Sequence, residues 1–507
     1  MTGNLFHAFS HSFEDAAEKP ALRLTDGKSL AYGDLERESA RLANLLRAEG
    51  VSPDDRVAVQ VEKSAENVFL YLACLQSGAV YLPLNTAYTD NELDYFFGDA
   101  KPRMIVCSPD RVDGIRKLGS TERATIHTLD AEGGGSLMHA ASSMGDDSET
   151  VQRVAADLAA ILYTSGTTGR SKGAMITHGN LQANAETLIQ AWEISSDDVL
   201  LHALPIYHVH GLFVALNTCL ISGVEIHFHQ KFETDAVIDD LPEATLMMGV
   251  PTFYTRLLSS ERLTKNLCRN MRLFISGSAP LLDETFRAFE RRTGHAILER
   301  YGMTETGMLC SNPLNGERKP GTVGPPLADV DVRVADESGS ALAEGEAGVL
   351  EVRGPNVFKG YWQMPEKTAE EFRDDGFFIT GDISRIDGDG YVHIVGRAKD
   401  MIISGGFNVY PKEIEAVIDR MDSIGESAVI GLRHPDFGEA VAAVITVAGN
   451  QGVDEEAIIA ACKQELAGFK VPKAVFILDE LPRNSMGKVQ KNQLRERFAK
   501  TFQTDTS

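Results

Sequence analysis

The residue types best suited to chemistry lie in one glycine-rich loop, residues 163–174, with the sequence YTSGTTGRSKGA. Its glycines permit tight turns and a close approach of backbone to a ligand, and its hydroxyls and cations can donate to anionic oxygens. The donors are Thr164, Ser165, Thr167, Thr168, Arg170 and Lys172, and the glycines are Gly166, Gly169 and Gly173. The spacing departs from the Walker A pattern, which requires Gly-Lys followed by Ser or Thr. The loop predicts phosphate binding, with a flexible polar surface loop as the alternative.

The elements that must position this loop follow an α/β pattern, because short apolar runs alternate with amphipathic segments along most of the chain. Strands are predicted at residues 56–62, 104–107 and 159–163, the last leading into the loop. Residues 65–76 predict a helix that ends near Gly78. Residues 132–148 are rich in Gly, Ser and Asp, which predicts a surface loop.

The chain changes character towards its C-terminal end, most clearly after Gly396. Residues 330–334 and 348–353 alternate apolar and polar side chains, which predicts a small antiparallel, barrel-like piece. A short linker, RAKDMIISGG, then leads into a compact βα region. We therefore expect a large N-terminal domain over residues 1–398 and a small, mobile α+β C-terminal domain over residues 399–507.

Bulk properties exclude several classes of function. A chain of 507 residues is too long for one hydrophobic core, so at least two domains are expected. The net charge of -24 disfavours binding to nucleic acid or to anionic membranes. No apolar run approaches the length of a membrane span, and the N-terminus has no signal or transit pattern, which predicts a cytoplasmic protein. The six cysteines are far apart, which favours reduced, buried thiols over a metal or redox site.

A series of short motifs, taken together in order, resembles the adenylate-forming superfamily of acyl-CoA synthetases, luciferases and peptide-synthetase adenylation domains. The motifs are the loop itself, GAVYLPLN (78–85), YHVHG (207–211), SGSAP (276–280), RYGMTET (300–306), FFITGD (377–382), GRAKD (396–400), GGFNVYP (405–411) and PRNSMGK (482–488). The resemblance covers nearly the whole chain. It implies that ATP and a carboxylic acid form an acyl-AMP, with Mg²⁺ assisting and diphosphate leaving, before the acyl group passes to coenzyme A.

The resemblance also implies roles for single residues. Lys488 matches the lysine that bridges the substrate carboxylate and the α-phosphate. In the family, an acetyltransferase and a deacetylase can switch activity at this segment, because acetylation removes the charge of the lysine. Catalytic roles are further implied for His210, Thr304 and Glu305, with Glu305 and Thr164 near Mg²⁺. Asp382 and Arg397 are expected at the ribose. The remaining nucleotide contacts are expected from Gly277, Ser278, Ala279, Arg300, Tyr301, Gly302 and Met303.

For the second half-reaction, the resemblance implies that the C-terminal domain rotates about Lys399. This rotation replaces Lys488 with the stretch around Gly405 and Gly406, where bare backbone leaves room for the pantetheine arm. An ordinary Gly-Gly turn is the alternative at that position.

The acyl pocket is expected to be lined by Val209, His210, Leu212, Gly277, Met303 and Thr306. Two arginines lie nearby, Arg256 in VPTFYTRLL and Arg300 before YGMTE. An uncharged acyl tail needs no guanidinium, whereas a second carboxylate does, because an unpaired buried charge is costly. Arg256, with Ser278 and Arg300, is therefore expected to hold the distal carboxylate of a small diacid. Alternatively, Arg256 is a surface helix residue and Arg300 belongs to an internal salt bridge.

Within the superfamily, VPTFYTRL, SGSAPL, ERYGMTET and GFNVYPKEIE resemble the malonyl-CoA synthetases, which implies malonate as the acid. Val209, where relatives can carry a small hydroxyl residue, leaves the use of methylmalonate open. Alternative hypotheses are a synthetase for another short or aromatic acid, a domain that loads a carrier protein, and a catalytically inactive acyl-adenylate-binding protein.

Overall fold

The computed structural model describes residues 3–164, 171–404, 407–434, 437–449, 453–466, 468–484 and 487–502. The chain divides into two compact units. The larger comprises Met1–Pro320, Gly324–Asp331 and Val352–Phe378, and the smaller comprises Gly321–Val323, Val332–Glu351 and Ile379–Ser507. The smaller unit thus includes residues on both sides of Lys399, and the domain boundary at that residue stays a prediction.

The helices, in chain order, are α1 (Phe6–Asp15), α2 (Tyr32–Ala48), α3 (Ala65–Ser77), α4 (Asp90–Ala100), α5 (Val112–Ile115), α6 (Ser136–Ala141), α7 (His178–Trp192), α8 (Asn217–Ile221), α9 (Thr234–Asp240), α10 (Pro251–Ser259), α11 (Asp283–Thr293), α12 (Pro365–Glu370), α13 (Pro411–Ile418), α14 (Glu455–Glu465) and α15 (Lys491–Arg497). A π-helical turn, His210–Leu216, precedes α8.

The strands are β1 (Pro20–Leu24), β2 (Ser29–Ala31), β3 (Arg56–Gln60), β4 (Val80–Pro83), β5 (Met104–Cys107), β6 (Thr125–Thr128), β7 (Leu158–Thr164), β8 (Lys172–Thr177), β9 (Val199–His202), β10 (Glu225–Phe228), β11 (Leu246–Gly249), β12 (Leu273–Ser276), β13 (Leu298–Met303), β14 (Gly307–Ser311), β15 (Asp331–Ala335), β16 (Gly348–Arg353), β17 (Gly360–Tyr361), β18 (Phe378–Ile386), β19 (Val392–Arg397), β20 (Ile402–Ser404), β21 (Phe407–Val409), β22 (Ile424–His434), β23 (Gly438–Val447) and β24 (Ala474–Ile477).

The larger unit is built on two mostly parallel sheets. One has the order β14-β13-β12-β11-β9-β10-β1-β2, and the other has the order β17-β8-β7-β4-β3-β5-β6. Antiparallel pairs stand only at their ends, as β13–β14 and β1–β2 in the first and as β7–β8 and β8–β17 in the second. Central strands such as β4, β5 and β11 are buried along their whole length, as is typical of parallel sheets covered on both faces.

The smaller unit contains most of a four-stranded sheet, in the order β15-β16-β18-β19, and a second sheet in which β22 and β23 form a long antiparallel pair. Its core includes Ile414, Ile418, Val429, Val441 and Ile445, with α13 and α14 contributing apolar faces. The predicted fold class, a large α/β N-terminal region with a small α+β C-terminal region, is confirmed.

Local sequence explains several element boundaries. Helix α3 begins where the Ser64 hydroxyl accepts a hydrogen bond from the Asn67 amide, and it ends at Gly78, whose φ of 75° suits a residue without a side chain. Strand β5 occupies the predicted residues 104–107, and β7 extends the predicted strand by one residue at each end. All six cysteines are buried free thiols, as predicted.

Two sequence-based expectations were wrong. The stretch 132–148 contains helix α6, because Leu137 and Ala141 are buried and give the segment an apolar face that its glycines and serines obscured. The expected linker after Arg397 contains a 3₁₀ turn, Ala398–Asp400, and strand β20, which pairs with β21 and β23. Among the described helices, none is long and apolar enough to cross a bilayer.

Candidate active site

The predicted phosphate loop joins two paired strands of the larger unit. Strand β7 ends at Thr164 and β8 begins at Lys172, and these two residues are direct partners across the hairpin. The strands therefore fix both ends of the loop against the sheet. The predicted loop residues Ser165, Gly166, Thr167, Thr168, Gly169 and Arg170 lie outside the described residues, as do Gly405 and Gly406.

Lys172 is already engaged by the protein. Its Nζ lies 2.9 Å from Glu371 Oε1 and 3.9 Å from the centre of the Tyr361 ring. Burial raises the pKa of Glu371, but hydrogen bonds from Lys172 and Tyr361 outweigh burial and hold that pKa below its usual value. In this structure the Lys172 ammonium is therefore held by Glu371 and Tyr361, and its role as a phosphate donor stays a prediction.

The carboxylate of Glu305 lies at the other end of the same network. It is buried, and its Oε1 lies 3.1 Å from the Tyr361 hydroxyl and 3.4 Å from the Thr164 hydroxyl. The Tyr361 hydroxyl also lies 2.7 Å from Glu371 Oε2. Tyr361 thus joins the two glutamates, and Lys172 balances one of their charges.

This arrangement suits a hard cation. The Glu305 carboxylate and the Thr164 hydroxyl supply oxygen ligands, which Mg²⁺ prefers, and Mg²⁺ usually takes few protein ligands beside phosphates and water. Within the described part of the chain, no group of three or more His, Cys, Asp or Glu residues could enclose a metal on its own. The residues therefore fit a magnesium ion that arrives with a phosphate, and the assignment of Glu305 and Thr164 to that ion stays a prediction.

The predicted acyl-pocket residues His210, Ser278 and Arg300 meet in the larger unit. Strand β12 ends at Ser276, and the chain turns at Gly277 and Ser278, where Ser278 has a φ of 70° that non-glycine residues rarely adopt. The Ser278 hydroxyl lies 3.2 Å from His210 Nδ1. A Cβ on Gly277 would lie 2.4 Å from Arg300 Cζ, so only glycine lets this guanidinium pack against the turn.

Arg300 is the most unusual charge of this region. Only 3% of its surface is exposed, and its Nε and Nη2 have no hydrogen-bond partner among the described residues. Burial lowers the pKa of Arg300 to about 9. Burial also lowers the pKa of His210 well below its usual value, and the charge of Arg300 contributes to this shift. The region therefore combines a neutral imidazole with an uncompensated guanidinium, an arrangement that favours an anionic ligand.

Arg256 has a different environment. It lies on α10 with an exposed side chain, and it lines a cavity of about 490 Å³. Other charged residues of that cavity are Glu62, Lys63, Lys231 and Glu233. The buried, unpaired charge that the sequence analysis considered is therefore Arg300. Arg256 lies on the surface of a helix, as the alternative interpretation stated.

The other predicted residues of the larger unit occupy neighbouring positions. Val209 and Leu212 are buried at the π-helical turn, and Tyr301, Gly302 and Met303 form the end of β13. Thr304 and Ala279 are partly exposed, whereas Thr306 is fully buried, with its hydroxyl 3.3 Å from the Met303 amide.

In the smaller unit, Asp382 and Arg397 are direct partners across strands β18 and β19, and Arg397 Nε lies 2.6 Å from Asp382 Oδ1. Lys488 keeps an exposed surface, yet loss of hydration lowers its pKa to about 8. The positive charges of Arg397 and Lys399 lower this pKa further, and the negative charge of Asp382 opposes them. The predicted ribose pair and the predicted catalytic lysine are therefore electrostatically coupled.

Sequence reasoning missed Tyr361, Glu371, Lys63 and His202. Glu371 and Lys172 are 199 positions apart, and Lys63 and His202 are 139 positions apart. No local pattern indicates such pairs. Lys63 is flanked by the polar residues Glu62 and Ser64, so nothing in the local sequence indicated that it is buried.

Comparison with known proteins extends these observations. Residues 9–362 match the family model of the AMP-binding enzyme, and residues 413–488 match the AMP-binding enzyme C-terminal domain. The chain is 54% identical to MatB from Rhodopseudomonas palustris, whose ATP-bound crystal structure gives a TM-score of 0.97 over 99% of this chain and 100% of that one.

Two further relatives differ in the acid that their names give. A feruloyl-CoA synthase of Amycolatopsis sp. is 37% identical over 479 residues, covering 93% of this chain and 94% of the relative. A malonate–CoA ligase of Arabidopsis thaliana is 34% identical over 547 residues, covering 98% and 89%. The chain belongs to the AMP-binding enzyme family and is an acid–thiol ligase, an ATP-dependent acyl-CoA synthetase of the adenylate-forming superfamily.

Proposed function

We propose that the enzyme is a malonate–CoA ligase that converts malonate, ATP and coenzyme A to malonyl-CoA, AMP and diphosphate through a malonyl-adenylate. Methylmalonate is a slower second substrate. The observation that carries this proposal is Arg300, a buried guanidinium with two unpartnered nitrogens beside Gly277 and His210. The name of the Arabidopsis relative supports the same acid.

The charge of Arg300 selects a diacid. One carboxylate must react with ATP, so a second one is needed to pair with the guanidinium. Arginine suits this role because its planar fork can hold a carboxylate through two parallel hydrogen bonds. Ser278 offers a hydroxyl at the same turn, and Arg256 adds positive charge at the cavity. A monoacid leaves Arg300 uncompensated, which costs binding free energy.

In the first half-reaction, Lys488 holds the reacting carboxylate against the α-phosphate, because an ammonium can donate to both anions at once. The phosphate loop and Thr304 hold the phosphate oxygens, and Glu305 with Thr164 would hold the Mg²⁺. When bound, Mg²⁺ supplies neutralisation of the charge that develops on the phosphates. Asp382 accepts hydrogen bonds from the ribose hydroxyls, with Arg397 keeping its carboxylate in place.

In the second half-reaction, coenzyme A attacks the anhydride carbonyl. We assign the pivot to Lys399 and the pantetheine passage to Gly405 and Gly406. Acetylation of Lys488 by a protein acetyltransferase would remove its charge and stop the first half-reaction, and a deacetylase would restore it.

An aromatic acid is the second candidate, because the feruloyl-CoA synthase relative is similar over nearly its whole length. A cinnamate-type acid has an uncharged ring that gives Arg300 no partner. The test is AMP release with ATP and coenzyme A across malonate, methylmalonate, succinate, acetate and ferulate. We expect malonate to have the highest kcat/KM, followed by methylmalonate. A highest kcat/KM for ferulate or acetate would refute the proposal.

A further inference from the structure

A buried lysine and histidine lie between the cavity and the π-helical turn, outside the set of residues that hold substrates in the proposed reaction. Lys63 is 5% exposed and lines the cavity that Arg256 also lines. Its Nζ lies 2.6 Å from His202 Nδ1, 2.9 Å from the His202 carbonyl oxygen and 4.2 Å from the centre of the Phe228 ring. A buried amine is therefore held by one residue through two acceptors.

The hydrogen bonds define the tautomer of His202. Its Nε2 lies 2.9 Å from the carbonyl oxygen of Gly211, which can only accept, so Nε2 carries the proton. Nδ1 is then an acceptor and receives its hydrogen bond from Lys63. Burial and the neighbouring Lys63 keep the pKa of His202 well below its usual value, consistent with a neutral ring.

Gly211 connects this pair to the acyl pocket. It follows His210, whose Nδ1 faces the Ser278 hydroxyl, and both belong to the π-helical turn. A Cβ on Gly211 would lie 2.0 Å from the Pro205 carbonyl oxygen, so the backbone is closely packed there. A π-helical turn is uncommon and needs support from its surroundings. The hydrogen bond from His202 provides such support one residue from His210.

We propose that Lys63 and His202 are positioning residues for acid selection: Lys63 fixes the tautomer and orientation of His202, and His202 Nε2–H holds the Gly211 carbonyl so that His210 faces the acyl group. This inference rests on the proposed function, which supplies the location of the acyl pocket. It does not depend on which acid is the substrate. Neither residue belongs to the set that holds the reacting groups in the proposed reaction.

The His202 side chain allows its two hydrogen bonds to be separated. In His202→Gln, the amide NH₂ occupies the place of Nε2 and keeps the hydrogen bond to Gly211. In His202→Asn, the amide oxygen occupies the place of Nδ1 and keeps the acceptor for Lys63, but the hydrogen bond to Gly211 is lost. The His202 backbone carbonyl stays available to Lys63 in both. His229→Gln is the matched control, because His229 is a buried histidine whose Nε2 pairs with Asp240.

The measurement is KM for the acid that the wild type prefers, together with kcat, KM for ATP and the midpoint of thermal unfolding. We expect His202→Asn to raise the acid KM about tenfold with KM for ATP unchanged, and His202→Gln to stay within about threefold of wild type, as expected for one buried hydrogen bond. Lys63→Met, which frees His202 to rotate, should resemble His202→Asn. His229→Gln should leave the acid KM unchanged.

Equal acid KM values for His202→Asn and His202→Gln would overturn the proposal, as would a rise in KM for ATP matching the rise for the acid. If a His202 variant does not fold, the proposal is tested by the acid KM and the ATP KM of Lys63→Met against those of the wild type. An unchanged acid KM in Lys63→Met would then overturn it. Because the readout uses whichever acid the wild type prefers, a wild type that prefers a different acid refutes the malonate proposal alone.

Discussion

Among single residues, lowered pKa values distinguish two cations. Arg300 and Lys488 have pKa values lowered to about 9 and about 8, in both cases chiefly by loss of hydration. Both are therefore mostly charged at neutral pH, and in the proposed reaction each gains an anionic partner when a substrate binds. Arg256 is exposed and has no comparable need for a partner. This difference makes Arg300 the first choice for the distal carboxylate.

The Lys488 pKa predicts the pH dependence of the first half-reaction. Lys488 bridges two anions only when protonated, so kcat/KM for adenylation should be level below about pH 8 and should fall about tenfold per pH unit above it. ATP–diphosphate exchange measured from pH 6.5 to 10 tests this. Exchange that stays level to pH 10 would contradict the assignment.

The sequence identifies residue chemistry better than it identifies residue environment. Motif positions alone are enough to single out Glu305, Asp382, Arg397 and Lys488. The same sequence could not tell the exposed Arg256 from the buried Arg300, because burial depends on distant segments. The turn that contains Gly277 illustrates this, since its lack of a side chain makes room for a guanidinium 23 positions later.

Among the secondary-structure elements, the β7–β8 hairpin and β17 build the phosphate end of the site. Strand β17 pairs with β8, which brings Tyr361 beside Lys172 and between the glutamates Glu305 and Glu371. Strand β7 was predicted from an apolar run that enters a glycine-rich loop, but its pairing with β8 was not. The addition of β17 was not, because it is two residues long and almost two hundred positions away.

The ion pair between Lys172 and Glu371 predicts an effect on nucleotide binding. Glu371→Gln keeps the shape but removes the charge that balances Lys172, so Tyr361 and Glu305 should lose their fixed positions. We expect Mg·ATP to bind about tenfold more weakly and the free energy of unfolding to fall by about 1–3 kcal/mol. Calorimetric titration with Mg·ATP and urea unfolding measure the two effects.

The neighbouring Glu370→Gln is the control, because the Glu370 side chain is 67% exposed and pairs only at the surface with Lys367. It should change Mg·ATP binding by less than twofold. If Glu371→Gln binds Mg·ATP as tightly as Glu370→Gln does, the network around Lys172 does not position the nucleotide site.

Across the whole molecule, the family models cover residues 9–362 and 413–488, which leaves residues 363–412 between them. Lys399 lies in that interval. The family resemblance predicts that one C-terminal domain, beginning at Lys399, serves both half-reactions. The smaller compact unit begins earlier in the chain, because it also includes residues 379–398. The boundary between two compact units need not be the point about which a domain rotates. The hinge at Lys399 must therefore be tested by measuring function.

Two variants separate the half-reactions. Lys488→Ala should abolish ATP–diphosphate exchange but leave thioester formation from synthetic malonyl-adenylate, because Lys488 serves only the first step. Gly406→Leu should do the reverse, because a side chain there obstructs the pantetheine passage. Single-turnover assays of each step in each variant check this. Parallel loss of both steps in either variant would show that one domain does not serve the two steps in turn.

In the proposed function, selection of malonate depends on the buried Arg300 guanidinium, which pairs with the second carboxylate. A comparison of malonate with malonamate measures this dependence. Malonamate has nearly the same shape but replaces one carboxylate with a neutral amide. In the wild type, kcat/KM for malonate should exceed that for malonamate by about 10²–10³-fold, the equivalent of about 3–4 kcal/mol for a desolvated charge pair. In Arg300→Met the ratio should fall below about tenfold, while Arg256→Met should keep most of it. A wild-type ratio near one, or a ratio that Arg300→Met leaves unchanged, would show that Arg300 does not select the acid.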